Sequence, residues 1–190
     1  MNGFGIGMTI KRVIWLLYTK MFWRNARLVR TPIHIRNKKK IYYGKGFTVG
    51  INCRINVGPR GDLQIGERFV MGDFNQIEVM ESVKIGNNVL IASRVYIGDT
   101  NHGMYKGDIQ SNPNESPVDR LEVTEPIIIG DNVWIGNGVS ILPGVKISSG
   151  CIVGANSVVT KSFPQNCIIA GIPARIVRRY DEQSNKWLDM

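Results

Sequence analysis

Through the second half of the chain, aliphatic side chains fall on every sixth position: Ile129, Ile135, Ile141, Ile147, Val153 and Val159. A second set follows each of these by four residues, at Val133, Val139, Val145, Cys151, Ser157 and Phe163. Members of the two sets stand two residues apart, as Val133 and Ile135 do, and so share one face of a short strand. Turn-forming residues fill the gaps, among them Gly130, Gly136, Gly144, Gly150, Gly154, Asn132, Asn137 and Asn156. Each hexad therefore predicts one strand and one turn. Three hexads close a triangular coil of about 18 residues, whose aliphatics rest on those of the next coil about 4.8 Å away. A β-sandwich would alternate without a fixed period of six. Periodicity does not set the hand of the coil, because ordinary parallel crossovers are right-handed.

The same pattern runs earlier, at Ile85, Ile91 and Ile97 with Val83, Val89 and Val95, then less regularly at Ile65, Met71 and Ile77, and it begins at Val49 and Ile55. It breaks phase between Ile55 and Ile65, between Ile77 and Ile85, and between Ile97 and Ile129. The last break predicts an ejected loop over 100–126, a polar stretch with Pro113, Pro117 and Pro126 and no ladder. Long loops inside compact domains are usually functional. Ahead of the repeat, residues 10–30 put Ile14, Leu17, Met21 and Leu28 near one helical face, with Lys11, Lys20, Arg24 and Arg27 largely elsewhere. The chain thus divides into a basic N-terminal segment (1–45) with an amphipathic helix, an all-β repeat domain (46–170) and a short C-terminal tail (171–190).

The formal charge of +9 changes meaning once it is located. Residues 1–46 hold eleven Lys or Arg and no acid, while the remainder carries a net −2. The basic character belongs to the terminal segment, so no nucleic-acid partner is expected. Trp15, Tyr18, Phe22 and Trp23 are aromatics of the kind that settle at headgroup depth. Residues 10–30 therefore suit two roles equally: a peripheral hold on the inner face of the cell membrane, or a cap on the open end of the coil. The apolar run Val13 to Tyr18 is far shorter than the roughly 20 residues that span a bilayer. An odd number of cysteines, Cys53, Cys151 and Cys167, without close pairing or a signal peptide points to a reducing cytoplasm.

The string IIIGDNVWIGNGVSILPGVKISSGCIVGANSVVTKSFPQNCIIAGIPARIVRRY, with VYIGDTNHG ahead of it, resembles the hexapeptide-repeat acetyltransferases. Within them it is most similar to the sugar O-acetyltransferases of galactosides, maltose and bacterial surface polysaccharides such as O-antigen and capsule. The resemblance covers roughly residues 49 to 180. It implies a left-handed parallel β-helix, a homotrimer with active sites between neighbouring subunits, acetyl-CoA as donor, a carbohydrate acceptor and no metal. It also implies a catalytic histidine on the coil preceding the ejected loop, a place taken by His102; the other histidine, His34, precedes the repeat. Through VWIG, GANSVVTK and PAR, the family's CoA contacts fall on Trp134 and Asn137 beside the pantetheine arm and on Ala155 along the same groove. Thr160, Lys161, Arg175 and Arg178 fall toward the adenine and phosphates. The family's acceptor-site Asn-Phe-Asn reads Asp73-Phe74-Asn75 here, which makes Asp73 and Asn75 the implied acceptor contacts.

Acyl transfer from a thioester to an alcohol needs a base, because a sugar hydroxyl is a poor nucleophile until its proton is withdrawn. Histidine, with a reference pKa of about 6.5, is largely neutral at pH 7 and suits that task, and such help is worth about 10² to 10⁴ in rate. Asp99 and Asn101 are the neighbours placed to orient the ring. Taken without the family, His102 reads as a solvated turn residue ahead of Gly103, Trp134 as an outward cover for a coil edge, and Lys161, Arg175 and Arg178 as a solvated basic face. N-acetylation of an amino-sugar nucleotide is the alternative within enzymes. The zinc carbonic anhydrases of this fold need three histidines where the chain has two, and a purely structural β-helix leaves the histidine-bearing loop without a role.

Overall fold

A computed structural model describes residues 5–190. The six-residue periodicity becomes a three-faced parallel β-helix of about seven turns. The first face stacks Leu28–Val29, Thr48–Val49, Val70–Met71, Leu90–Ile91, Trp134–Ile135, Ile152–Val153 and Cys167–Gly171. The second stacks Ile33–Arg36, Cys53–Val57, Gln76–Val79, Tyr96–Gly98, Ser140–Ile141 and Val158–Val159. The third stacks Ile41–Tyr43, Asp62–Ile65, Ser82–Ile85, Ile127–Ile129 and Lys146–Ile147. Register keeps equivalents in columns, so Ile97 lies between Ile77 and Ile141. Of the twelve ladder residues from Ile129 to Phe163, none is more than 4% exposed.

The β-helix starts earlier than the boundary at 45 implied. Leu28–Val29, Ile33–Arg36 and Ile41–Tyr43 form a complete first coil, paired in parallel with the second. His34 therefore belongs to the β-helix, and Leu28 to a strand. The helix is shorter than residues 10–30, spanning Ile6–Phe22. It stops because Trp23 turns into the open coil end, 2% exposed, where it stacks on Phe47, which stacks on Phe69. Thr19 ties the last turn down, its hydroxyl receiving the Val29 N–H at 2.8 Å. Upstream, Ile6, Ile10, Val13, Ile14, Leu17 and Met21 are each more than half exposed. No helix among the described residues is long and apolar enough to cross a membrane. The C-terminal tail is an antiparallel hairpin, Ala174–Asp181 with Lys186–Asp189, that continues the first face.

Corners are tied from coil to coil, each backbone N–H being received by a side chain one coil on. Between the first and second faces, Ile51 N–H donates to Asp73 Oδ1 (2.9 Å), Asp73 N–H to Ser93 Oγ (3.1 Å) and Ser93 N–H to Asn137 Oδ1 (2.8 Å). Inside that corner Asn75, 2% exposed, donates to the Gly72 and Ala92 carbonyls and accepts from Val95 N–H. The three phase breaks all fall on the edge between the second and third faces: 58–61, 80–81 and 99–126.

Replacing Asn75 with Ala strands two carbonyls and one N–H in a buried corner, an expected loss of about 3 kcal/mol in urea unfolding. Cys53, Cys151 and Cys167 are buried, and burial pushes each thiol up from its ordinary range. A thiol-reactive dye is expected to label the native chain slowly and all three cysteines at once on unfolding.

Candidate active site

The ejected loop leaves the second face after Gly98 and returns to the third at Ile127. Its base is a two-stranded antiparallel hairpin, Thr100–His102 with Glu122–Thr124. Hydrogen bonds flank this ladder, from Glu125 N–H to Asp99 O (2.9 Å) and from Gly103 N–H to Leu121 O (2.8 Å). His102 and Glu122 consequently face each other in a pair between hydrogen bonds, where side chains approach closest. Both are exposed. Beyond them Arg120 staples the tip, donating to the Tyr105 hydroxyl (2.9 Å) and the Glu115 carbonyl (2.9 Å), while the Tyr105 hydroxyl donates to the His102 carbonyl (2.5 Å). The imidazole thus stands on a braced strand.

Neither neighbour expected to orient it does so. The Asp99 carboxylate is fully buried and receives the N–H groups of Met80, Glu81 and Ser82 at 2.7, 2.9 and 2.8 Å. It anchors the root of the hairpin to the coil below. Asn101 lies on the opposite side of the hairpin from His102, because successive strand residues alternate. The carboxylate across from the imidazole is Glu122, which the sequence reading missed; the alternation in Leu121–Thr124 was its only local signal. Asp73 and Asn75 are also differently employed. Asp73 holds Ile51 N–H and pairs with Arg30 at 3.3 Å, and Asn75 spends its whole amide inside the corner. The outward member of that triplet is Phe74, 51% exposed.

The remaining candidates form two groups. Trp134, 51% exposed, stands on the first face between Leu90 and Ile152. Beside it the corner ladder ends: above Asn137 comes Ala155, whose methyl accepts nothing, so the Asn137 N–H lacks the side-chain acceptor that its equivalents have. Gly136 lets this corner close, since a Cβ there would meet Ala155 N at 2.7 Å. Arg175 lies next to Ala170 one coil further, and among the described residues its guanidinium donates to the Ala174 carbonyl and has no carboxylate partner; Arg178 is paired with Asp189 at 2.6 Å. These residues make one continuous strip. Thr160 and Lys161 are exposed at the opposite side of the second face, on the edge that carries the hairpin. Within one chain, the structure therefore separates His102, Thr160 and Lys161 from Trp134, Asn137, Ala155 and Arg175.

Residues 126–161 match the family model for bacterial transferase hexapeptide (six repeats). The putative lipopolysaccharide biosynthesis O-acetyl transferase WbbJ of Escherichia coli (strain K12) is 40% identical over 185 residues, covering 97% of this chain and 94% of that one. The chain belongs to the hexapeptide-repeat acetyltransferases. Galactoside O-acetyltransferase of the same organism is 36% identical over 82% of this chain and 75% of its own. Among solved structures, AntD, an N-acyltransferase from Bacillus cereus, superposes with a TM-score of 0.70 at 22% identity over 89% of this chain and 90% of its own. A galactoside acetyltransferase in complex with coenzyme A gives 0.54 at 24% identity over 97% and 87%. Both share the fold of this hexapeptide-repeat acetyltransferase.

Removing the Asp99 carboxylate leaves three half-buried N–H groups without their acceptor. Asp99→Ala is expected to cost about 3 kcal/mol in denaturant unfolding and to speed amide exchange in the hairpin. Asn101→Ala, on the exposed far side, is expected to stay within about 0.5 kcal/mol of the parent chain.

Proposed function

We propose that this acetyltransferase moves an acetyl group from acetyl-CoA to a hydroxyl of a sugar in a surface polysaccharide or its precursor, with His102 as general base. The identity of 40% to a putative lipopolysaccharide O-acetyl transferase over nearly the whole chain carries the reading. The exposed imidazole on a braced hairpin supplies the chemistry. One ring nitrogen of His102 takes the hydroxyl proton as the sugar oxygen attacks the thioester carbonyl. The imidazolium then gives that proton to the departing thiolate, leaving an acetate ester and free CoA. Glu122, opposite His102 in the hairpin register, is the positioning residue, its carboxylate turning toward the ring once the substrates are in place.

The strip of Trp134, Asn137, Ala155 and Arg175 suits an extended CoA. Its unmet Asn137 N–H fits an amide carbonyl of the pantetheine arm, and the unpaired Arg175 guanidinium fits phosphate. Because that strip and His102 sit at different edges of one chain, a complete site takes the histidine of one copy and the groove of another. A closed ring of copies, a homotrimer, meets that requirement. The reaction belongs in the cytoplasm, where acetyl-CoA is supplied, with the exposed apolar flank of Ile6–Phe22 and its cations resting on the inner leaflet.

With purified protein, acetyl-CoA and extracted surface glycans, thiol release is expected to fall 10² to 10⁴-fold in His102→Ala while CoA binding is unchanged; undiminished release would reject the assignment. Glu122→Gln is expected to lower kcat with little change in KM, and Glu122→Asp to recover part of the loss, a pattern that a purely structural role would not produce. In flotation assays the chain is expected to rise with anionic vesicles and to stay behind when Ile10, Leu17 and Met21 are all changed to Ser.

A further inference from the structure

Two clefts at the N-terminal end of the β-helix share the strand Ile33–Arg36 and take no part in the site described above. The first, of about 490 Å³, lies on the second face across the first two coils and is lined by His34, Arg36, Arg54 and Asn56 over Ile33, Ile35 and Ile55. Register sets His34 beside Arg54 and Arg36 beside Asn56. Ion pairs among the described residues join Arg30 to Asp73 and Arg178 to Asp189, so neither Arg36 nor Arg54 has a carboxylate partner. Glu78, one coil on, is held instead by the amides of Asn56 (2.5 Å) and Gln76 (2.9 Å). In the same wall the Asn56 Oδ1 is buried and accepts no hydrogen bond. Two unpaired guanidinium forks beside an imidazole and an unmet acceptor are the chemistry of a phosphate site that also takes a hydroxyl.

The second cleft, of about 370 Å³, lies under the helix and is lined by Tyr18, Phe22, Trp23 and the same Ile33 and Ile35, with Lys38 at its rim. The cationic cleft and the apolar one thus lie against the same strand, sharing Ile33 and Ile35, and Phe22 in the second belongs to the helix with the exposed apolar flank. The outward column Arg36–Asn56–Glu78–Gly98 leads from the first cleft to the root of the hairpin that carries His102. Three coil spacings put that root about 14 Å away.

We propose that the two clefts together bind an acceptor whose sugar is carried on a hydrocarbon chain through a phosphate or diphosphate, an inference that rests on the O-acetyltransferase reading. Arg36, Arg54 and His34 take the phosphate groups, and Asn56 Oδ1 receives a sugar hydroxyl. Tyr18, Phe22 and Ile35 take the first carbons of the hydrocarbon, and the glycan runs up the second face toward His102. A nucleoside diphosphate would satisfy the arginines but would leave the apolar cleft of Tyr18, Phe22, Ile33 and Ile35 unfilled.

Calorimetric titration of the full chain with geranyl diphosphate, pyrophosphate and UDP tests this without any turnover. Geranyl diphosphate is expected to bind at least tenfold more tightly than either of the others. Changing Arg36→Gln and Arg54→Gln together is expected to weaken geranyl diphosphate and pyrophosphate at least tenfold, and Phe22→Ser to remove only the advantage of the prenyl chain. CoA affinity and Tm are expected to stay unchanged in both variants. Equal binding of geranyl diphosphate and UDP, or binding indifferent to the two arginines, would overturn the proposal. So would displacement of geranyl diphosphate by phosphatidylglycerol vesicles from the chain with Ile10, Leu17 and Met21 changed to Ser, whose helix no longer holds vesicles, since that assigns the clefts to bulk lipid. Loss of acetyl transfer in a chain that binds geranyl diphosphate as described would count against the transferase reading and leave the subsite standing.

Discussion

A coil of this β-helix buries its apolar side chains only by lying in register on the next, so a residue's place in its column decides whether it is core, corner or surface. The columns Ile77–Ile97–Ile141 and Val83–Ile127 are core. The corner columns are polar, and each side chain there satisfies the backbone of the coil below, as Asp73, Ser93 and Asn137 do in succession. A site on such a scaffold arises where a column is interrupted. Ala155 interrupts one by omitting an acceptor, and the ejected hairpin interrupts another by leaving the prism altogether.

The interruptions are not scattered. The extra residues in the hexad count lie on the edge between the second and third faces, at 37–40, 58–61, 80–81 and 99–126. Asp99 locks two of these together by receiving three N–H groups from residues 80–82. That carboxylate fixes the direction in which the hairpin leaves, and with it the position of His102. The regular corner between the first and second faces carries the strip proposed for CoA. On that reading one edge serves the acceptor and the other the donor, with a whole face between them.

The repeat was legible because ladder positions are set by local spacing: the residues from Val49 to Phe163 assigned to the interior are interior. The first coil was not, since Ile33, Ile35 and Ile41 alternate with His34, Arg36 and a run of lysines that read as a charged segment. Only parallel pairing with the second coil reveals that those cations point outward from a strand. Polar residues in the motifs were the harder part. Asp73, Asn75 and Asp99 look like ligand or catalytic groups in a linear string. Which way each turns depends on the coil above or below, 17 to 22 residues away. Glu122 escaped notice for the same reason, because its partner His102 lies across a loop.

The central claim is that donor groove and base come from different copies of the chain. Co-expressing His102→Ala with Ala155→Trp, each inactive alone, tests it directly in the mixed oligomers. Random assembly with one site per interface predicts that acetyl transfer returns to about a quarter of the unmodified level, since half the histidines and half the grooves remain intact. Mixed oligomers as inactive as either variant alone would contradict it.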